Sequence, residues 1–300
     1  MENIIGYIKT YNTNENYYNL VVEDEFETLH NIKATKEQFN ELVVNHIYKF
    51  IVEERMTKRL AFFLVEAIDV SKIQDKERDT ILRRFLPHKD KNYDDRNEML
   101  LSYIKRIKNS NLRKITESLY NANMVDFLTS IGGMRIHHAY LGGLAEHTIG
   151  MLQLADAFLG IYKFLESDYV YAGIILHDLG KIKEYSDIQS PEFTLDGQLL
   201  GHLVLGAMSV HNEAIKLGCE NTEEVKILEH ILISHHGKLE FGSAKKPLTA
   251  EALLVWQIDS LDSKFSVLSD VLANTNCGTF TESLPVLERQ RLYKPNKINK

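Results

Sequence analysis

The spacing of apolar residues changes character near residue 70, and that change limits the chain to two unlike folding units. Before it, IIGYIKTY, NYYNLVVED, HIYKFIVEE and LAFFLVEAID are short segments rich in β-branched and aromatic residues, set apart by polar stretches. In the second of these, Tyr18, Leu20 and Val22 share one face while Tyr17, Asn19 and Val21 share the other, which is the period of a strand. Several short strands in so little chain predict a small barrel or sandwich, with an OB-type barrel among the candidates. Further on the spacing is helical: Leu100, Tyr103, Ile104 and Ile107 form one stripe, with Lys105, Arg106 and Lys108 off it. The expected architecture is α+β and multidomain, a small OB-like N-terminal β-barrel followed by an all-α domain.

Residues 1–72 form the expected barrel. Residues 73–133 read as a charged linker and connecting helices, since DKERDTILRRFLPHKDKNYDDRNE suggests a short helix, a break at Pro87 and a solvated connection. Residues 134–275 read as helix interrupted by Gly and Asn, and residues 276–300, ending ERQRLYKPNKINK, as a basic and irregular tail. A net charge of −7 argues against generic polyanion binding, which needs an excess of Lys and Arg, but leaves room for a local groove. Lys105, Arg106, Lys108, Arg113 and Lys114 are the densest basic segment, read as a solvated helix face with an RNA path as the functional alternative. Two cysteines are too few for a disulfide framework and fit a reducing compartment. MENIIGYIKT lacks the layout of a signal peptide, and no apolar run approaches the ~20 residues of a membrane span. The expectation is a soluble cytoplasmic protein without a membrane partner.

Nine of the twelve histidines fall between residues 137 and 236, most of them beside apolar helical strips. His147 ends AYLGGLAEH, His177 and Asp178 end AGIILHD, His202 follows the glycine of GQLLGH, His235 and His236 end KILEHILISHH, and Asp259 interrupts EALLVWQIDSLD. One histidine on such a strip is ordinarily a hydrogen-bonded core residue. Recurrence in one domain favours a metal site built from inward-facing helix residues. Imidazole and carboxylate without thiolate suit Mn, Fe, Zn or Ni. Asp178 has two oxygens to offer two ions, and ions ~3.5–4 Å apart would serve phosphoryl transfer. Lys181, past a Gly turn, is near enough to meet a substrate phosphate; its bland alternative is a cation on helix-end carbonyls. The stripe Val225, Leu228, Leu232 continues to His235, which should therefore face the core more directly than His236. Asp259 and Asp262 flank one stripe together, and periodicity leaves both open.

This pattern resembles the HD superfamily of metal-dependent phosphohydrolases. HHAYLGGLAEHT, GIILHDLGKIKEYS, LLGHLVLG and SHHGKLEFGSAKKP, with IDSLDSKF and GTFTESLPVLERQRLYKP, resemble more particularly the YhaM family of 3'-5' exoribonucleases, across residues 134–295. The resemblance implies an all-α HD-type domain behind an OB-type nucleic-acid-binding domain. It implies one metal on His147, His177, Asp178 and Asp259, and a second on Asp178, His202 and His235, with His236 and Asp262 as the less favoured ligands. His177, Asp178 and Lys181 would be catalytic; Lys181, His137, His138 and Lys238 would bind substrate, with metal-site support as the alternative for His137 and His138. Gly143 stands where HD proteins with a third metal place a Glu, so two divalent ions are expected, Mn²⁺ foremost, with Fe, Zn, Ni, Co or Mg as alternatives.

The expected activity is removal of 5'-nucleotides from the 3' end of single-stranded RNA, with single-stranded DNA as an alternative partner. Tyr7, Tyr17, Tyr48 and Phe50 are candidates for stacking bases, set against ordinary strand packing. The competing readings are an HD-type phosphohydrolase acting on small nucleotides, and a non-catalytic nucleic-acid-binding factor. Strand edges and the charged linker leave a homo-oligomer open.

Overall fold

The computed structural model describes residues 1–14, 16–56, 60–133 and 138–296. It separates into two compact units: residues 1–88 with 187–192, and residues 89–186 with 193–300. The stretch 73–133, which the sequence sets apart, is thus divided between them.

In the first unit, β1 (Glu2–Thr13), β2 (Tyr18–Asp24), β3 (Leu29–Ala34), β4 (Ile47–Met56) and β5 (Leu60–Asp69) close a barrel in the order β1-β2-β3-β5-β4. Strand β4 returns antiparallel to β1, and only the β3–β5 pairing is parallel. Alternation places Ile4, Ile8, Leu20, Val22, Ile32, Phe50 and Val52 inside. Helix α1 (Lys36–Asn40) lies between β3 and β4 and starts with a Thr35–Gln38 capping box, while α2 (Glu77–Leu82) follows β5. Two of the proposed base-stacking residues are corrected here. Tyr48 and Phe50 are 2% and 0% exposed, because they occupy the inward face of β4.

The second unit is helical: α3 (Tyr93–Arg106), α4 (Ser110–Ala122), α5 (Met124–Thr129), α6 (Gly143–Ile161), α7 (Ser167–Leu176), α8 (Lys181–Glu184), α9 (Leu195–Leu199), α10 (Gly201–Lys216), α11 (Glu223–Ser234) and α12 (Ala250–Asn274). The expected stripe Leu100, Tyr103, Ile104 and Ile107 is buried in its core. Helix α7 is apolar nearly all round, and its residues Val170 to Leu176 are all buried, as such a composition requires. No helix among the described residues is long and apolar enough to cross a membrane.

The irregular tail is a second correction. Thr279–Phe280 (β6) pairs with Tyr293–Lys294 (β7), and the Lys294 ammonium reaches the carbonyls of Leu272 and Thr275 at 2.6 and 2.7 Å. A cation at the C-terminal end of α12 satisfies acceptors that the helix leaves open, and so anchors the tail. In the basic segment at 105–114, Arg106 pairs with both oxygens of Asp156 at 2.9 and 2.7 Å, which fits the solvated helix face.

Candidate metal centre

The ends of helices bring the site together. His147 lies in the first turns of α6, His177 caps α7, His202 opens α10, His235 caps α11, and α12 carries Asp259 and Asp262. Gly180 makes one of these approaches possible: a Cβ there would stand 2.1 Å from the carbonyl oxygen of His202. Gly237, at φ +73°, similarly admits the ring of Trp256, which a Cβ would meet at 1.9 Å.

Each histidine is anchored through Nδ1. His177 and His235 place Nδ1 2.7 Å from the carbonyls of Ile174 and Leu232, three residues back on their own helices. His147 places Nδ1 2.7 Å from Asp262, His202 2.9 Å from Glu184, and His236 2.7 Å from the carbonyl of Phe241. Because those acceptors take an Nδ1 proton, they fix the tautomer and turn Nε2 of each ring inward. Nε2 of His177, Nε2 of His235 and Oδ1 of Asp178 are buried and have no hydrogen-bond partner among the described residues. An unpaired buried polar atom costs about 1–3 kcal/mol. Three such atoms facing one another are what a cation site demands, and the donor set fits divalent ions that take imidazole and carboxylate.

Asp178 stands at the centre. Its Oδ2 lies 3.2 Å from Nε2 of His177 and 3.9 Å from Nε2 of His147, while its Oδ1 lies 3.4 Å from Nε2 of His202 and 3.8 Å from Nε2 of His235. His147, His177 and Asp259 could hold one ion; His202, His235 and His236 could hold another, with Asp178 between them. The two acids of α12 divide their work. Asp259 Oδ1 faces Nε2 of His147 at 3.2 Å, whereas Asp262 Oδ2 grips Nδ1 from behind.

The electrostatics suit cation binding. Burial would raise the Asp178 carboxyl, but the Lys181 ammonium and the His177 ring outweigh it and hold the group well below the usual carboxylate range. Asp259 and Asp262 are half-buried; burial works to raise them, but they are held low by His147 and by His138 with His147 respectively. Burial, with His236 and His177 adding, pushes His235 well below the ordinary histidine value, so its ring is neutral and its lone pair available. For His147 burial acts in the same sense, but its hydrogen bonds to Asp259 and Asp262 win and raise it to about 9.

The residues expected to meet substrate occupy different settings. Lys181 is buried, its Nζ 2.7 Å from Asp178 Oδ2 and bonded to the carbonyl of Gly132. His138 is buried too, with Nε2 2.9 Å from Asp262 and Nδ1 2.9 Å from the Tyr140 hydroxyl, so it supports His147's partner instead of facing a substrate. His137 lies outside the described residues. Lys238 stacks over the Phe241 ring at 5.3 Å, on the wall of a cavity of about 770 Å³ that Trp256, Gln257 and Lys264 also line.

Residues 144–264 match the HD domain family. The match spans His147, His177, Asp178, His202, His235, His236, Asp259 and Asp262, and an HD domain indicates metal-dependent phosphohydrolase chemistry. Beyond the HD ligand pattern, the residue overlooked in the sequence is Glu184. It orients His202 through the ring nitrogen and also accepts that residue's backbone N–H at 3.0 Å. Its signal was faint, an acid closing the charged KIKE turn, although it is only 5% exposed.

Proposed function

We propose that this protein is a 3'-5' exoribonuclease that hydrolyses phosphodiester bonds of single-stranded RNA and releases 5'-nucleotides, using two divalent cations with Mn²⁺ the preferred pair. The observation that carries the reading is the division of Asp178, one oxygen toward His147 and His177 and the other toward His202 and His235. Cations bound there would supply Lewis-acid activation of water and stabilise charge on the leaving oxygen. The chain's own part is to hold the rings by their Nδ1 anchors, to keep Asp178 ionised, and to place the Lys181 charge beside the centre. Those arrangements are preorganised and cost no rearrangement during the reaction.

The choice of RNA rests on the barrel and on the cavity. A five-stranded closed barrel with a short helix between its third and fourth strands suits an OB-type module. On it, the half-buried Tyr17 packs edge-on at 5.4 Å against the buried Phe63, and the Lys33 and Arg55 cations lie 5.2 and 5.0 Å from the Phe63 ring centre, so Tyr17 with these cations is what the barrel offers a strand. Aromatic rings beside cations suit single strands, which offer both bases and phosphates. The cavity beside Lys238 and Trp256 has the volume of a nucleotide site, which makes Lys238 the residue to hold a terminal phosphate or base edge.

The same cavity favours one second reading, hydrolysis of a small nucleotide or cyclic nucleotide. Turnover rates on a 10-mer RNA, its DNA counterpart and mononucleotides, each with Mn²⁺, separate the two. Faster turnover of the RNA supports the exoribonuclease; faster turnover of a mononucleotide overturns it.

A further inference from the structure

Among the described residues, one group of His and Asp side chains that could hold a metal lies apart from the HD centre: His46, Asp69 and Asp187, whose donor atoms are within 4.8 Å of one another. All three belong to the barrel unit. His46 immediately precedes β4, Asp69 closes β5, and Asp187 opens the segment 187–192 that the chain contributes to that unit.

The imidazole supplies an independent sign of a ligand. His46 is 8% exposed, and its buried Nδ1 has no hydrogen-bond partner among the described residues. Nδ1 lies 3.5 Å from Asp69 Oδ2, within ion-pair reach but without a hydrogen bond.

The carboxylates are held in the way the HD histidines are, by one atom, with the other left over. Asp69 Oδ1 accepts from the Ser71 N–H at 2.9 Å, the Ser71 hydroxyl at 2.7 Å and the Gln189 side-chain amide at 3.1 Å, while Oδ2 turns to His46. Asp187 Oδ1 accepts the Gln189 N–H at 2.6 Å. Gln189 in turn takes the Ile47 N–H at 2.6 Å, so the segment is fixed beside His46. A simple His–Asp ion pair has no use for the second carboxylate. One imidazole cannot balance two acids in a largely buried site, whereas a divalent cation can.

We propose that His46, Asp69 and Asp187 form a mononuclear site for a divalent transition-metal cation that accepts both imidazole and carboxylate, such as Zn²⁺, Co²⁺ or Mn²⁺, separate from the HD centre. Its three ligands come from distant parts of the sequence, so the ion ties segment 187–192 to the ends of β4 and β5. Such a site is structural, and it is independent of whether RNA is the substrate.

The test is metal stoichiometry in the full chain. Wild type, His46→Ala, Asp187→Ala, and Asp178→Ala with and without Asp187→Ala are stripped by chelator, reloaded with Zn²⁺, desalted and measured by elemental analysis, with circular dichroism as the folding control. Loss of one equivalent on Asp187→Ala, in both the wild-type and the Asp178→Ala backgrounds, is the expected result. Unchanged metal content in folded Asp187→Ala overturns the proposal. Should His46→Ala fail to fold, the partly exposed Asp187 still decides it.

Discussion

Asp262 Oδ2 stands 2.7 Å from Nδ1 of His147, on the side of the ring away from Asp178 and Asp259. The carboxylate takes the Nδ1 proton, raises the basicity of the ring and aims Nε2 into the centre. Asp262 is thus a positioning residue, and Asp262→Asn should keep the fold while weakening metal binding about 10- to 100-fold. Competition with a fluorescent chelator measures this; unchanged affinity would place Asp262 outside the metal's support.

Asp178 faces both sets of ligands, so its loss should cost more metal than the loss of a residue facing one. We expect Asp178→Ala to lose both HD equivalents after chelation and reloading, and His202→Ala to lose only one. Equal losses would show that the two oxygens do not serve two ions.

Gly180 lies against the backbone of His202, where a Cβ would come within 2.1 Å of its carbonyl oxygen. Gly180→Ala must push the start of α10 away, at about 1–3 kcal/mol for overpacking. The expected outcome is a lower urea midpoint together with weaker metal binding, since His202 moves with its backbone. A stable variant with normal affinity would contradict the contact.

Stability should fall in acid partly through Asp156. Burial tends to raise this carboxyl, but Arg106, Tyr171 and Tyr103 donate to it and hold it below its ordinary value. A depressed carboxylate stabilises the fold above its unfolded pKa of about 3.9, and that contribution disappears as pH falls through the lower folded value. Because the pair is partly exposed, it contributes only about 1 kcal/mol or less. Asp156→Asn should therefore be less stable than wild type at pH 7, with the difference shrinking as pH falls below the ordinary carboxylate range, in urea titrations at each pH. A difference that stays constant as pH falls would contradict the linkage.

Much of this was legible in the sequence, for identifiable reasons. Apolar strips ending in His147, His177–Asp178, His202 and His235 announce side chains carried into a core with nothing apolar to meet. The change of period near residue 70 separates barrel from helices. What pattern alone does not carry is which face of a strand is inside, so Tyr48 and Phe50 look available until the barrel closes over them. Asp259 and Asp262 share a flank one turn apart, and only the opposite sides of the His147 ring tell ligand from support. Glu184 and His46 were passed over because their roles depend on partners at residues 202, 69 and 187, distances over which periodicity says nothing. The paired tail was missed because Lys294 reads as plain basic charge until the end of α12 is beside it.

The central claim is tested most directly by incubating the protein, confirmed to hold Mn²⁺, with 5'-labelled single-stranded RNA and resolving the products over time. The account predicts a ladder that shortens one nucleotide at a time from the 3' end, and no shortening with Asp178→Ala. Full-length RNA under the metal-loaded wild type, or internal cuts in place of a ladder, would contradict it.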